Sequence, residues 1–418
     1  MSTLTQPTVA VIGTCDTKLE ALRFLKRTIQ STAVCHAIII DVGSYDPSDS
    51  QDIDIPRTDV LKEYETAIRN MPSRGEALDT MTIALTQLLA RLHSAQSIMG
   101  VIGAGGSGNT SVCTKAFRDA LPIGFPKLMV STMASGNVSH YVGETDMTMM
   151  YSVVDVASMN PILETVLGNA ADAISGMAKR YLMRADMKSS LSSRPAIAVS
   201  MFGLTTPCVQ VATQKLEELG YSVVAFHATG AGGLAMERLI REGHFVGVLD
   251  ITTTELADEL VGGVLTAGPR RLEAAASCGI PQVVSVGALD MVNFGPVDTI
   301  PKQFQGRLFH HHNASVTLMR TSREECSRLG EIIAEKLKGA PRNKTRVILP
   351  LRGFSGIDKE RGPFRDAEAD GALLEALKSS LQCPAQELDV NINDPSFALM
   401  IATTLHDLLQ VEGFRHDV

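Results

Sequence analysis

The chain has 418 residues, of which 44% are hydrophobic and 20% charged, with 34 glycines and a formal net charge of −8. That length exceeds one ordinary core, so two domains are expected, with room for a third, in a globular α/β protein. The acidic balance, the absence of tryptophan and an aromatic content of 5% argue against a nucleic-acid partner, which would call for a basic, base-stacking surface.

Cysteines 15, 35, 113, 208, 278, 326 and 383 form no C-x-x-C pair, which argues against a zinc framework and fits reduced thiols. The opening MSTLTQPTVAVIG has no basic region before a long apolar run, so no signal peptide is expected, and no apolar segment is long enough for a bilayer. A cytoplasmic protein without a membrane partner is expected.

In chain order, Thr8–Gly13 is an apolar strand, followed by a helix over Asp16–Gln30 with Asp16 as its N-cap. His36–Val42 is a second buried strand ending near Asp41, and a polar loop over 43–57 leads to helices near 58–70 and 76–93. Ser97–Gly103 is a strand that enters the glycine loop of GVIGAGGSGNTS (100–111), and a helix follows to about Ala120. Lys127–Ser131 and Met147–Val154 are further strands, and 159–183 is a long helix. The serine-rich stretch Lys188–Pro195 is the expected boundary, giving domains over 1–187 and 195–418.

After the boundary the rhythm restarts: strands near 196–201, 222–227, 245–250, 282–286, 315–320 and 346–349 alternate with helices near 207–219, 233–242, 269–278, 323–338 and 367–380, before a closing strand–helix pair. Such alternation predicts two doubly wound, Rossmann-like α/β domains with mainly parallel sheets. A short echo, Gly13 to Thr17 and Gly203 to Thr206, opens both halves.

Gly103-x-Gly105-x-x-Gly108 satisfies the dinucleotide fingerprint, yet it follows a late strand, and Ile123 stands roughly where an acidic ribose ligand would be needed. An NAD-linked dehydrogenase is therefore disfavoured. The same residues approach a P-loop, but Asn109 replaces its lysine. What remains is a phosphate cradle of small residues before a helix, with a tight packing turn as the plain alternative. Asp16, Asp41 and the Ser131–Asn137 loop are expected on the same edge, because ligands of open α/β sheets lie at the strands' C-terminal ends. Asp146 is a candidate for a ribose or Mg²⁺, although Asp16 and Asp41 taken singly read as a cap and a turn residue.

The second half carries possible acid/base groups at its strand ends: His227, Asp250, Glu255, Asp290 and Asn293, then Arg320, Arg352, Ser355 and Asp394. Their convergence would suit a small acidic metabolite. Gly230–Gly233 reads as a second anion cradle, and Cys208 as either a low-pKa thiol or a small buried residue. His310–His312 is expected in a polar surface turn rather than on a metal, since neighbouring strand side chains point to opposite faces. No metal site is assigned.

The segments IGTCDTK (12–18), RGEA (74–77), GAGGSGNT (103–110), LPIGFPKLMVSTMASGNV (121–138), FHATGAGG, DITTTE, GALDMVNFG and VTLMRT together resemble one family. It comprises ATP-binding proteins related to the N-terminal inhibitory domain of the tomato mosaic virus resistance protein. The resemblance covers nearly the whole chain. It implies a two-part α/β protein, a homodimer, with ATP in the first part. By the same resemblance, the nucleotide contacts are Cys15, Asp16 and Thr17, then Gly105, Gly106, Ser107, Gly108, Asn109 and Thr110, then Ser131, Thr132, Ser135, Gly136 and Asn137. Cys15 stands where the family pattern has leucine, and Asn109 where it has glycine; Asn tolerates φ > 0 best if that position requires it. The expected function is an ATP-binding protein, with Mg²⁺ as a candidate companion, acting on a small acidic metabolite through its second domain. The alternative is a non-enzymatic, nucleotide-dependent regulatory module.

Overall fold

A computed structural model describes residues 6–45, 47, 50–64, 73–187 and 194–411, so most of the expected linker and the end of the helix expected over 58–70 lie outside the described residues. The chain divides into two compact units, Met1–Leu191 and Ser192–Val418.

The first unit is built on β1 (Thr8–Gly13), β2 (His36–Asp41), β3 (Gly100–Gly105), β4 (Lys127–Ser131) and β5 (Thr148–Tyr151). All pair in parallel, in the order β2-β1-β3-β4-β5. The central strands are short runs rich in apolar and small residues because both their faces are covered. Odd and even positions go to different layers. Val9 and Val11 join Leu22 and Leu25 of α1 (Cys15–Ser31) and Leu167 and Ile174 of a later helix, Pro161–Met187. Ala10 and Ile12 face Leu85 and Leu89 of the helix Arg74–Ser94, and Cys113 and Phe117 of the helix Ser107–Ala120. With the four-residue helices Arg57–Val60 and Ser139–Val142, the helices are numbered α1 to α6 in chain order. From β1 the chain winds outward to β2, then returns to β3 on the other side. The sheet therefore has its topological switch point between β1 and β3.

The second unit repeats this winding. β6 (Ala196–Met201), β7 (Ser222–His227), β8 (Gly247–Thr252), β9 (Gln282–Gly287), β13 (Thr345–Pro350) and β14 (Ala385–Leu388) form a parallel sheet in the order β14-β13-β9-β8-β6-β7. Read from β7 it is the first unit's order with one strand added. Helices α7 (Thr206–Glu218) and α13 (Pro395–Val411) cover one face through Leu216, Leu405 and Leu409. On the other face lie α8 (Ala231–Arg241), α9 (Glu255–Val261) and α10 (Ala274–Cys278), with α11 (Arg323–Lys336) and α12 (Ala367–Ser380).

Two expectations are corrected here. The segment 269–278 is helical only from Ala274, because the Leu272 and Ala274 amides donate to the Glu237 carboxylate and Leu272 takes φ +74°. His310–His312 is not a turn but part of β11 (Phe309–Asn313), which pairs antiparallel with β12 (Val316–Arg320). With β10 (Met291–Phe294) these strands form a small antiparallel sheet, β10-β12-β11. Backbone pairing, not an apolar alternation, makes β11 a strand, so side-chain pattern gave no sign of it.

Candidate functional site

The strand registers bring the first unit's loops to one edge. Gly13 lies beside Asp41, and Gly105, Ser131 and Tyr151 stand side by side on β3, β4 and β5. The switch point is flanked by Thr14–Thr17 after β1 and Gly106–Asn109 after β3. Helix α4 begins there with Gly106 as N-cap and no side chain satisfying its first turn. Its leading amides, Ser107, Gly108 and Asn109, have no acceptor within the helix, and the helix dipole adds positive potential. Three other helices close that end with their own side chains: Ser73 caps α3, Ser322 and Glu325 form a capping box on α11, and Asp366 caps α12. A Cβ at Gly106 would meet only Thr132 Oγ1, at 3.8 Å, so the glycine and Ser131–Asn137 loops share the crevice.

Several expected ligand residues instead build this crevice. Asn109 lies in ordinary helical backbone; its Nδ2 donates to Ala104 O (2.8 Å), tying α4 to β3. Thr110 Oγ1 donates to Gly106 O (2.8 Å) and bonds Ser131 Oγ (2.7 Å), which accepts the Met133 amide (2.9 Å). Gly105, Asn109, Thr110 and Ser131 are buried, while Thr17, Ser107, Ser135, Gly136 and Asn137 are exposed, and Gly106, Gly108 and Thr132 half-exposed. Asn137 Oδ1 accepts the Ser139 amide (3.0 Å) and hydroxyl (2.7 Å).

Asp16 is not the helix N-cap, which is Thr14. Its Oδ2 accepts the Ser44 (2.9 Å) and Tyr45 (3.1 Å) amides, fastening the loop after β2 to α1. Asp41 Oδ1 accepts the Cys15 (3.0 Å) and Gly43 (2.8 Å) amides. Burial raises the Asp41 carboxyl pKa, and burial and the neighbouring Asp41 raise that of the Cys15 thiol, which stays protonated. Asp146 sits at the opposite end of the sheet, before β5, where it pairs with buried Lys127 (2.9 Å) and accepts the Gly124 amide (2.8 Å). It cannot reach the ribose or Mg²⁺ position expected for it.

The second unit's strand ends are closed by charge pairing. Arg271, wholly buried, donates from Nε to Glu255 (2.6 Å), from its two terminal nitrogens to both Asp250 oxygens (2.6 and 2.7 Å), and more loosely to Glu237 (3.4 Å) and Thr252 O (3.2 Å). That arrangement occupies all five of its N–H donors. Glu255 Oε1 accepts the Gly230 (2.7 Å) and Gly233 (3.1 Å) amides, so the second anion cradle is filled by the chain's own carboxylate. A Cβ on Gly233 would lie 2.2 Å from Glu255 Oε2, so glycine is what admits that carboxylate. Burial pushes the Glu255 pKa up while Arg271 pulls it down.

A second network holds Asp290, Asp358 and Asp370 around Arg320 and Arg365. Arg320 donates to Asp370 (2.6 Å), Arg365 contacts both Asp358 and Asp370, and Ser355 donates to Asp290 (2.8 Å). Burial and then the Asp358 charge push Asp290 up to about 8 and Asp370 to about 7. Asp258, which accepts the Asn293 (2.6 Å) and Leu265 (3.0 Å) amides, is pushed to about 7, mainly by burial. His227 is exposed at the end of β7, edge-on to Phe202, and exposed Arg352 pairs with Asp389 (2.6 Å). Asp394 Oδ1 accepts the Ser396 amide and hydroxyl. Cys208 is buried and its thiol pKa is raised, which rules out the low-pKa reading.

Sequence gives no sign of Arg271, Glu237, Asp258, Asp358 and Asp370: Glu237, Asp258, Arg271 and Asp370 lie in ordinary charged helix-like stretches and Asp358 in a glycine-bearing loop, with no spacing that marks burial. Two open grooves of about 480 and 690 Å³ lie between helices of this unit, lined by groups such as Glu335 and Lys336, or Arg323 and Glu375, away from the strand ends. Among the described residues, no three His, Cys, Asp or Glu side chains are grouped to hold a metal, and no helix is long and apolar enough to cross a membrane.

Residues 7–183 match the N-terminal domain, and 194–409 the C-terminal domain, of the uncharacterised protein family UPF0261. The chain belongs to this family. A UPF0261 protein of Clostridium tetani is 44% identical over 408 residues, covering 96% of this chain and 99% of that one. The ToMV resistance protein Tm-1(GCR237) of Solanum lycopersicum is 41% identical over 412 residues, 94% of this chain but 54% of the tomato protein. This UPF0261 chain thus spans about half the tomato protein's length. A UDP-GlcNAc 2-epimerase from Neisseria meningitidis aligns over 89% of this chain and all of its own, at 10% identity and TM-score 0.22, too slight a likeness for any argument.

Proposed function

We propose that this protein binds ATP at the C-terminal edge of its first sheet. The observation that carries the reading is the open N-terminus of α4 at the switch point, a glycine-lined turn whose leading amides have no side-chain cap. Amides there hold an anion without a lysine, which answers the missing P-loop residue. Thr17, Ser107, Thr132, Ser135 and Asn137 supply hydroxyl and amide groups around it. Asp16 and Asp41 brace the neighbouring loops. Mg²⁺ would accompany the phosphates; no residue of the chain is assigned to it. Calorimetric titration with ATP tests the reading, using Gly106→Asp, whose side chain has room and sets a carboxylate at the amides. Binding by the wild type and none by the variant is expected; wild type that does not bind ends the proposal.

Of the two roles for the second unit, the nucleotide-dependent regulatory module is favoured over chemistry on a small acidic metabolite. Asp250, Glu255, Asp290 and Arg320 are buried and bonded to other groups of the chain, and Arg352 is engaged by Asp389. The proposal includes a homodimer, read by light scattering, and residence in the cytoplasm, which the free cysteines support.

A further inference from the structure

We infer that the nucleotide's base lies on Tyr151, at the β5 end of the first sheet, and that Met133 and Val153 complete the apolar platform. This rests on the reading that the phosphates sit at Gly106–Asn109. From that seat the ligand can run along the strand ends in either of two directions. Toward β2 it meets the carboxylates of Asp16 and Asp41 and a loop held down by the Gly43, Ser44 and Tyr45 amides. Tyr45 is exposed there, but among the described residues of that loop no second large apolar side chain is exposed beside it.

Toward β5 the edge carries Ser131, Thr132, Met133, Tyr151, Ser152 and Val153, with no charge before Asp155. Register sets Gly105, Ser131 and Tyr151 on adjacent strands. Two strand spacings put Tyr151 about 10 Å from Gly105, a separation that a ribose and base would bridge. Along this edge apolar groups face water: Met133 is 40%, Tyr151 42% and Val153 54% exposed. Val153 is held at φ +65°, where a β-branched residue is an outlier, between a buried Ser152 whose amide donates to Ser131 O (3.2 Å) and whose hydroxyl donates to Val154 O (2.7 Å). An aromatic ring with a thioether and an aliphatic group beside it fits the flat face of a base.

The test is calorimetric titration of the full chain with ATP and with inorganic tripolyphosphate. ATP should bind wild type more tightly than tripolyphosphate. Tyr151→Ala and Tyr151→Leu should weaken ATP about tenfold and leave tripolyphosphate unchanged, Tyr151→Phe should bind as wild type, and Tyr45→Ala should change nothing. If ATP keeps its advantage in Tyr151→Ala and Tyr151→Leu, or loses it in Tyr45→Ala instead, the platform is refuted while the phosphate seat stands. If neither ligand binds wild type, the phosphate seat fails, and the platform with it.

Discussion

The two units wind their strands in the same order, and each opens a helix on glycines at its strand ends, α4 after β3 at the switch point and α8 after the edge strand β7, with opposite outcomes. In the first, Gly106 opens α4 with no side chain over the amides. In the second, Glu255 lies on the amides of Gly230 and Gly233 and is itself held by Arg271. One fold thus yields an open anion seat or a sealed one, depending on whether a buried carboxylate lies over the glycine-opened amides. Winding alone does not make a site; the groups at the strand ends do.

The largest effect that could break this comparison is expected from Arg271→Met. It leaves Asp250, Glu255 and Glu237 buried without their cation and should cost about 3–5 kcal/mol in urea unfolding. A loss below about 1 kcal/mol would mean that the network does not hold the second unit together.

A smaller effect is expected from Glu255→Ala, which empties the sealed seat. The variant should melt lower than wild type, and sulfate should restore part of the loss by binding the vacated amides beside Arg271. Wild type should show no such gain beyond the general effect of the salt. Equal sulfate responses in the two proteins would contradict the idea that Glu255 stands in for an anion.

The smallest effect is a pH dependence. Asp290 is raised from 3.8 to about 8 and Asp370 and Asp258 to about 7, so the folded chain binds more protons than the unfolded one between those limits. Their contribution is complete below the unfolded carboxylate range and is lost as pH rises through about 7 to 8. Asp290→Asn should therefore flatten the fall in stability from mildly acidic to mildly alkaline pH, by on the order of 1 kcal/mol. Parallel profiles for variant and wild type would remove Asp290 from that account.

The sheets were legible because strands such as TVAVIG and HAIIID are short apolar runs between glycine or polar punctuation. The glycine loop was legible because its chemistry lies in the backbone. The ion networks were not. Asp250 and Glu255 read as free acid/base groups since their partner, Arg271, sits in a stretch that resembles an exposed helix start. Its burial depends on Leu272 and Ala274 turning back onto Glu237, a contact 35 and 37 residues apart in sequence. Asp16 likewise reads as a cap until the loop after β2 folds back to claim its oxygen.

The central claim is that one unit presents an open nucleotide seat and the other a sealed one. Calorimetric titration with ATP of wild type and Gly106→Asp, side by side, tests it most directly. The account predicts one ATP per chain for wild type and none for the variant. Two sites per chain, or binding that survives Gly106→Asp, would contradict it.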